Sequence, residues 1–181
     1  SKLATLIARD CWDVAFLVHN IERFQLTIDT RFKLAILIAV KEYSAPVALA
    51  ENIEKFDLTE IKPIKRFKLA QLIILKGSSA AKALAENIEK FQLKIDQYSE
   101  LATLIAEKGG SAAVALVHNI EKFQLTIDQH YKLAKLIAVK GSKAAIALVH
   151  NIEKFQIKID KCFKLATLIT GQGISAAVAL A

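Results

Sequence analysis

The sequence predicts an all-α protein, a right-handed superhelical α-solenoid of ~32-residue helix-turn-helix repeats. Three observations predict it. The decapeptide ALVHNIEKFQ stands at 115–124 and again, identically, at 147–156. Looser copies complete a series in which Asn20, Asn52, Asn87, Asn119 and Asn151 recur at steps of 32, 35, 32 and 32 residues, each followed four residues later by Phe. A second motif alternates with the copies, preceding each of the five and recurring after the last: KLATLIA (2–8), KLAILIA (33–39), KLAQLII (68–74), ELATLIA (100–106), KLAKLIA (132–138) and KLATLIT (164–170). Equivalent segments at a fixed period bury their apolar faces on their neighbours, so the core grows by adding units.

Helix A of each unit carries the KLAxLIA motif. It is apolar apart from Lys132, Lys135 and their equivalents, three residues apart on one outward stripe. A short link ends it, as in LKGSS (75–79), EKGGS (107–111) and VKGSK (139–143). Gly77, Gly109, Gly141 and Gly173 supply the left-handed backbone that such a stop needs. Ser79, Ser111 and Ser175 are placed to cap helix B, and Asp29, Asp96, Asp128 and Asp160 to cap helix A or favour its positive end.

Helix B follows. Ala113, Leu116, Val117, Ile120 and Phe123 share one face by their 3-and-4 spacing, while Ala112, Ala115 and Asn119 make a stripe that admits a close neighbour. The repeated Phe reads as core. The repeated Asn is a mediocre helix residue, so it is expected to bond its amide to the adjacent repeat or connector. Pro63, in a connector three residues longer than the others, is expected to lengthen the connector or start a helix. The shorter first link carries Trp12.

The resulting organisation is one array over 1–181, with units near 1–28, 29–61, 62–95, 96–127, 128–159 and a partial 160–181. It reads as an excerpt of a longer array. Apolar faces near Leu3 and Leu180 favour end-to-end association. No apolar run reaches the roughly 18–20 residues that span a bilayer, so no membrane partner is expected. Cys11 and Cys162 lie in distant repeats, which fits two reduced thiols and an intracellular location.

No catalytic constellation, cofactor motif or metal-ligand spacing is found, and the chain reads as a non-enzyme. His19, His118 and His150 share one repeat position, beside the Asn, where Glu51 and Glu86 stand in other copies. That is a ladder across units, not a cluster round one centre. The net charge of +7 suits a polyanionic partner. Two lysine rows follow the repeat: Lys33, Lys68, Lys132 and Lys164 on helix A, with Glu100 between them, and Lys41, Lys76, Lys108 and Lys140 at the turns. Lysines in register make a ribbon of charge that matches a phosphate backbone. Residues between them vary from unit to unit, as expected of a modular reader or of drift at exposed sites.

The stretches IAEKGGSAAVAL (105–116) and IAVKGSKAAIAL (137–148) resemble the helix-turn-helix core of TALE-like DNA-binding repeats. The resemblance implies turns lining the major groove, with one turn residue per repeat facing a base. The positions are Glu42, Gly77, Gly109, Gly141 and Gly173, with the turn lysines beside them. It also implies a host-nuclear location if the protein is a secreted bacterial effector. YKLAKLIAVKGSKAAIAL (131–148) resembles pentatricopeptide RNA-binding repeats, whose base-reading position falls here on Lys33, Lys68, Glu100, Lys132 and Lys164. Those side chains cannot discriminate four bases, so DNA is favoured over RNA. The alternative is a solenoid scaffold that grips a protein or peptide in its concave face.

Overall fold

The computed structural model describes residues 14–42 and 44–173, together with 176, 178 and 179. Expectations placed on Leu3, Cys11, Trp12, Ser175 and Leu180 fall outside them, as does the side chain of Asp160. The fold is all-helical, with no strand among the described residues. Contacts divide the chain into two compact units, 1–94 and 95–181.

The first unit contains α1 (Val14–His19), α2 (Ile28–Ala39), α3 (Ala45–Glu51), α4 (Pro63–Leu75) and α5 (Ser78–Glu86). The second contains α6 (Ile95–Glu107), α7 (Gly110–His118), α8 (Ile127–Ala138), α9 (Ser142–His150) and α10 (Ile159–Thr170). Even-numbered helices carry the KLAxLIA motif and are A helices; odd-numbered ones are B helices. Each B helix runs into a single 3₁₀ turn: η1 (Ile21–Phe24), η2 (Ile53–Phe56), η3 (Ile88–Phe91), η4 (Ile120–Phe123) and η5 (Ile152–Phe155).

Within each unit, A packs on A, B on B, and each A on the B of its own hairpin. Ala48, Ala83, Ala115 and Ala147 of the B helices are buried. Phe56, Phe91, Phe123 and Phe155 are fully buried, as their spacing predicts. Each contributes roughly 1.5–3 kcal/mol by burial.

The helix starts correct part of the sequence reading. Thr27 caps α2 by accepting from the Thr30 amide at 3.4 Å. Thr126 and Gln129 form a reciprocal capping box on α8, at 3.4 and 2.8 Å. Asp29, Asp96 and Asp128 lie in the first turn, inside the cap, where their charge complements the helix dipole. Ser79 and Ser111 do not cap either. The cap positions are Gly77, Gly109 and Gly141, whose φ values are +114°, +63° and +104°. An added Cβ at these glycines would meet no atom within 4 Å, so backbone conformation, not space, demands glycine there. Pro63 opens α4 at its first turn, where its missing N–H costs no bond.

The repeated Asn is the larger correction. The sequence reading assigns Asn20, Asn52, Asn87, Asn119 and Asn151 to contacts between repeats. Instead each amide Nδ2 donates to a carbonyl four residues back in its own B helix: Phe16, Ala48, Ala83, Ala115 and Ala147, at 2.9–3.0 Å. Asn stands where the α-helix gives way to the 3₁₀ turn. The Phe16, Ala48 and Ala115 carbonyls also accept the Asn backbone amide, at 3.1–3.2 Å, so there the short side chain adds a second donor at the end of the helix.

Candidate functional site

The helix-A lysines occupy one position. Lys33, Lys68, Lys132 and Lys164 are each the sixth residue of their helix, as is Glu100 of α6. Leu34, Leu69, Leu133 and Leu165, one residue on, are buried, which turns the lysines outward. All four are exposed, and none lies within ion-pair distance of a carboxylate among the described residues. The first unit presents two of them on α2 and α4; the second presents two on α8 and α10, after the acidic step on α6.

The turn row differs. Lys41, Lys76, Lys108 and Lys140 are half-buried against the helix ends. Lys76 donates to the Glu42 carboxylate at 2.9 Å. A residue assigned to a base and one assigned to a phosphate are thus held by each other. Gly77, Gly109, Gly141 and Gly173 present bare main chain with positive φ, so no side chain can select a base there.

Tyr131 adds an aromatic to the second unit's lysine surface. Lys135 lies over its ring at 5.0 Å and Lys161 at 4.9 Å. Lys161 also donates to Asp128 at 3.0 Å, and that hydrogen bond, then the lysine charge, holds the Asp128 carboxyl below its ordinary range. In the first unit Lys65 lies over Phe32 at 5.9 Å.

No family model, curated protein or solved structure matches the chain. Its chemistry is therefore read from its own side chains. His19, His118 and His150 are exposed at the ends of their B helices. Among the described residues no group of three or more His, Cys, Asp or Glu is placed to hold a metal ion. Among the described residues no helix is long and apolar enough to cross a membrane.

Two sets of residues that sequence reasoning missed organise the scaffold behind these lysines. The first is the Lys of each IEKF turn, which takes the role expected of Asn. Lys55 donates to the His19 carbonyl at 3.3 Å, and Lys90 to the Glu51 carbonyl at 3.1 Å and the Glu54 carboxylate at 3.2 Å. Lys154 pairs with Glu121 at 3.7 Å. Each reaches back to the preceding hairpin, where the end of helix B offers unsatisfied carbonyls and the negative end of its dipole. A basic residue just before every repeated Phe, Lys in four copies and Arg23 in the first, was the available signal.

The second set is the fourth residue of helix A: Arg31, Arg66, Tyr98, His130 and Cys162. The first four pack under the turn that closes their own hairpin. Arg31 approaches Asp57 at 3.6 Å. Arg66, only 7% exposed, donates to the carbonyls of Leu58 and Thr59 at 3.2 Å and of Gln92 at 2.7 Å, pinning the longer connector. Tyr98 meets Phe123 edge-on at 6.2 Å between ring centres. His130 lies 5.7 Å from Phe155 with both ring nitrogens buried and unpartnered. Burial lowers its pKa; the Phe155 backbone opposes that in part, from beyond hydrogen-bond reach. No shared chemistry links these types, which is why the position escaped notice.

Proposed function

We propose that the hairpins stack as a right-handed superhelical solenoid of ~32-residue repeats that binds nucleic acid, duplex DNA first, without catalysis. The observation that carries this is the exposure of Lys33, Lys68, Lys132 and Lys164 at one helix position, each outside ion-pair distance of a carboxylate among the described residues. An ammonium with no internal partner keeps its full charge for a phosphate and releases a counterion when it docks. The helix-A row is the principal contact, and the half-buried turn lysines are secondary. A repeated backbone contact of this kind positions the polymer and carries no sequence information itself. Affinity outweighing base selectivity is therefore the expected behaviour. Titration of a short duplex at two salt concentrations tests the proposal; absence of binding at low salt rejects it.

A second reading has its own observation. Val40, Leu75 and Val139, at the ends of A helices, are 45%, 66% and 48% exposed. Apolar groups beside lysines suit an acidic, partly apolar protein surface. Binding of acidic peptides in preference to duplex would favour that scaffold.

A further inference from the structure

In the first unit, helix A sends a guanidinium under the turn that closes its own hairpin. Arg31, the fourth residue of α2, lies 3.6 Å from Asp57, which follows Phe56. Arg66, the fourth residue of α4, donates to the Gln92 carbonyl at 2.7 Å and to its side-chain oxygen at 3.4 Å; Gln92 follows Phe91. A planar fork of donors suits a place where several oxygens converge in fixed directions.

In the second unit the fourth residue of α8 is His130, and Gln156 follows Phe155. His130 is only 6% exposed, and neither ring nitrogen has a hydrogen-bond partner. Burial lowers its pKa, so at neutral pH it brings no charge. His130, Gln124, Gln156, Glu121, Glu153 and Lys154 line an open cavity of about 450 Å³. The corresponding cavity of the first unit, with Arg66 in its wall, is about 230 Å³. Each belongs to a hairpin closed by its own 3₁₀ turn, η3 in one and η5 in the other.

The charges differ in the same sense. Around Arg66 the carboxylates of Glu54 and Asp57 face the cations Arg66 and Lys90. Around His130 the carboxylates of Glu121 and Glu153 face Lys154 alone. Lys154 stands 3.7 Å from Glu121, while Glu153 is exposed and has no ion-pair partner among the described residues. A negative charge is thus left over at a site walled by amides. We infer that the cavity at His130 binds a monoalkylguanidinium cation, the chemistry of an arginine side chain, in the place that Arg66 fills in the first unit. The fork donates to the Glu153 carboxylate and to oxygens of Gln124 and Gln156, over the uncharged imidazole. An alkylammonium has the same charge without the fork, and is the weaker ligand. This inference is independent of the nucleic-acid reading.

The test titrates the full chain with ethylguanidinium at about pH 7.5, where His130 is neutral. The His130 ring protons and the Gln124 and Gln156 side-chain amides report the site by NMR. Saturable shifts with a Kd on the order of 1 mM are expected. Ethylammonium should bind at least about fivefold more weakly. Glu153→Gln, at an exposed residue, weakens binding about three- to tenfold. His130→Arg supplies the guanidinium covalently, so the amide signals should no longer respond. Nα-acetyl-arginine amide distinguishes the sources of the group. Affinity equal to that of ethylguanidinium assigns the site to arginine side chains of a polypeptide, and affinity at least about fivefold lower assigns it to small guanidines. Unmoved signals at about 20 mM ethylguanidinium overturn the inference. So does equal binding of ethylammonium, which would reduce the site to charge alone. Undiminished binding by folded His130→Arg overturns it as well. Should that variant fail to fold by circular dichroism, unchanged affinity in Glu153→Gln decides against the inference.

Discussion

Replacing Lys33, Lys68, Lys132 and Lys164 together by glutamine lowers the net charge from +7 to +3 and keeps most of each side-chain stem. All four are exposed and none is in an ion pair among the described residues, so the fold is expected to be unaffected. Each phosphate neutralised contributes about −0.9 to the slope of log affinity against log salt. Four contacts therefore contribute about −3.6, or on the order of a hundredfold loss of affinity between about 50 and 200 mM salt. The quadruple variant should lose that part of the slope, and its deficit against the wild type should be greatest at low salt, where counterion release matters most. Replacing Lys41, Lys76, Lys108 and Lys140 instead should cost less, because Lys76 already neutralises Glu42 and the others are half-buried. Fluorescence anisotropy over a salt series, with far-ultraviolet circular dichroism to check folding, measures both sets. Equal slopes for wild type and the helix-A variant would refute the assignment. A larger loss from the turn set would move the contact surface to the turns.

Three further outcomes concern the scaffold. Phe123→Ala removes a fully buried ring that Tyr98 meets edge-on, and should cost about 3–5 kcal/mol in chemical denaturation of the second unit; a loss under about 1 kcal/mol would contradict its core role. Gly141→Ala forces a Cβ onto a backbone with φ +104° and should destabilise by about 1–3 kcal/mol even though the space is empty. His130 makes stability depend on pH. Burial lowers its folded pKa below the ordinary 6.5, so the unfolded chain takes the proton first as pH falls. Stability from this residue is complete above about 6.5 and declines below it until the folded pKa is reached. His130→Phe should flatten that decline in a series of urea melts, and an unchanged pH profile would show that His130 does not titrate in this way.

The hairpins were legible because their signals are local and repeated. Gly77, Gly109 and Gly141 were read correctly as positive-φ positions, but their ψ is extended, not left-handed helical, and they stand at the start of helix B. The core phenylalanines were read from spacing alone. The Asn position failed because Ile120 and Phe123, three residues apart, fit one face of an α-helix or a 3₁₀ turn equally well. Periodicity could not show that Asn119 ends one and begins the other. The repeated Gln or Asp just after each Phe gave no warning that Gln25, Asp57, Gln92, Gln124 and Gln156 take φ of 45–50°, rare for residues with a Cβ. At the candidate surface, the helix-A lysines were legible as exposed by their place opposite the leucines. The Glu42–Lys76 pair was not, because it joins residues 34 positions apart across two hairpins.

The lysine stitch between hairpins has a genetic corollary. Its donor, its acceptor carbonyl and its Glu partner are all encoded within every copy of the module, as Lys90, Glu51 and Glu54 illustrate. A duplicated or deleted module brings both halves of the next junction with it. Recombination between copies can thus change the number of modules without inventing a new seam, and near-identical neighbours such as 115–124 and 147–156 are the natural substrate for it.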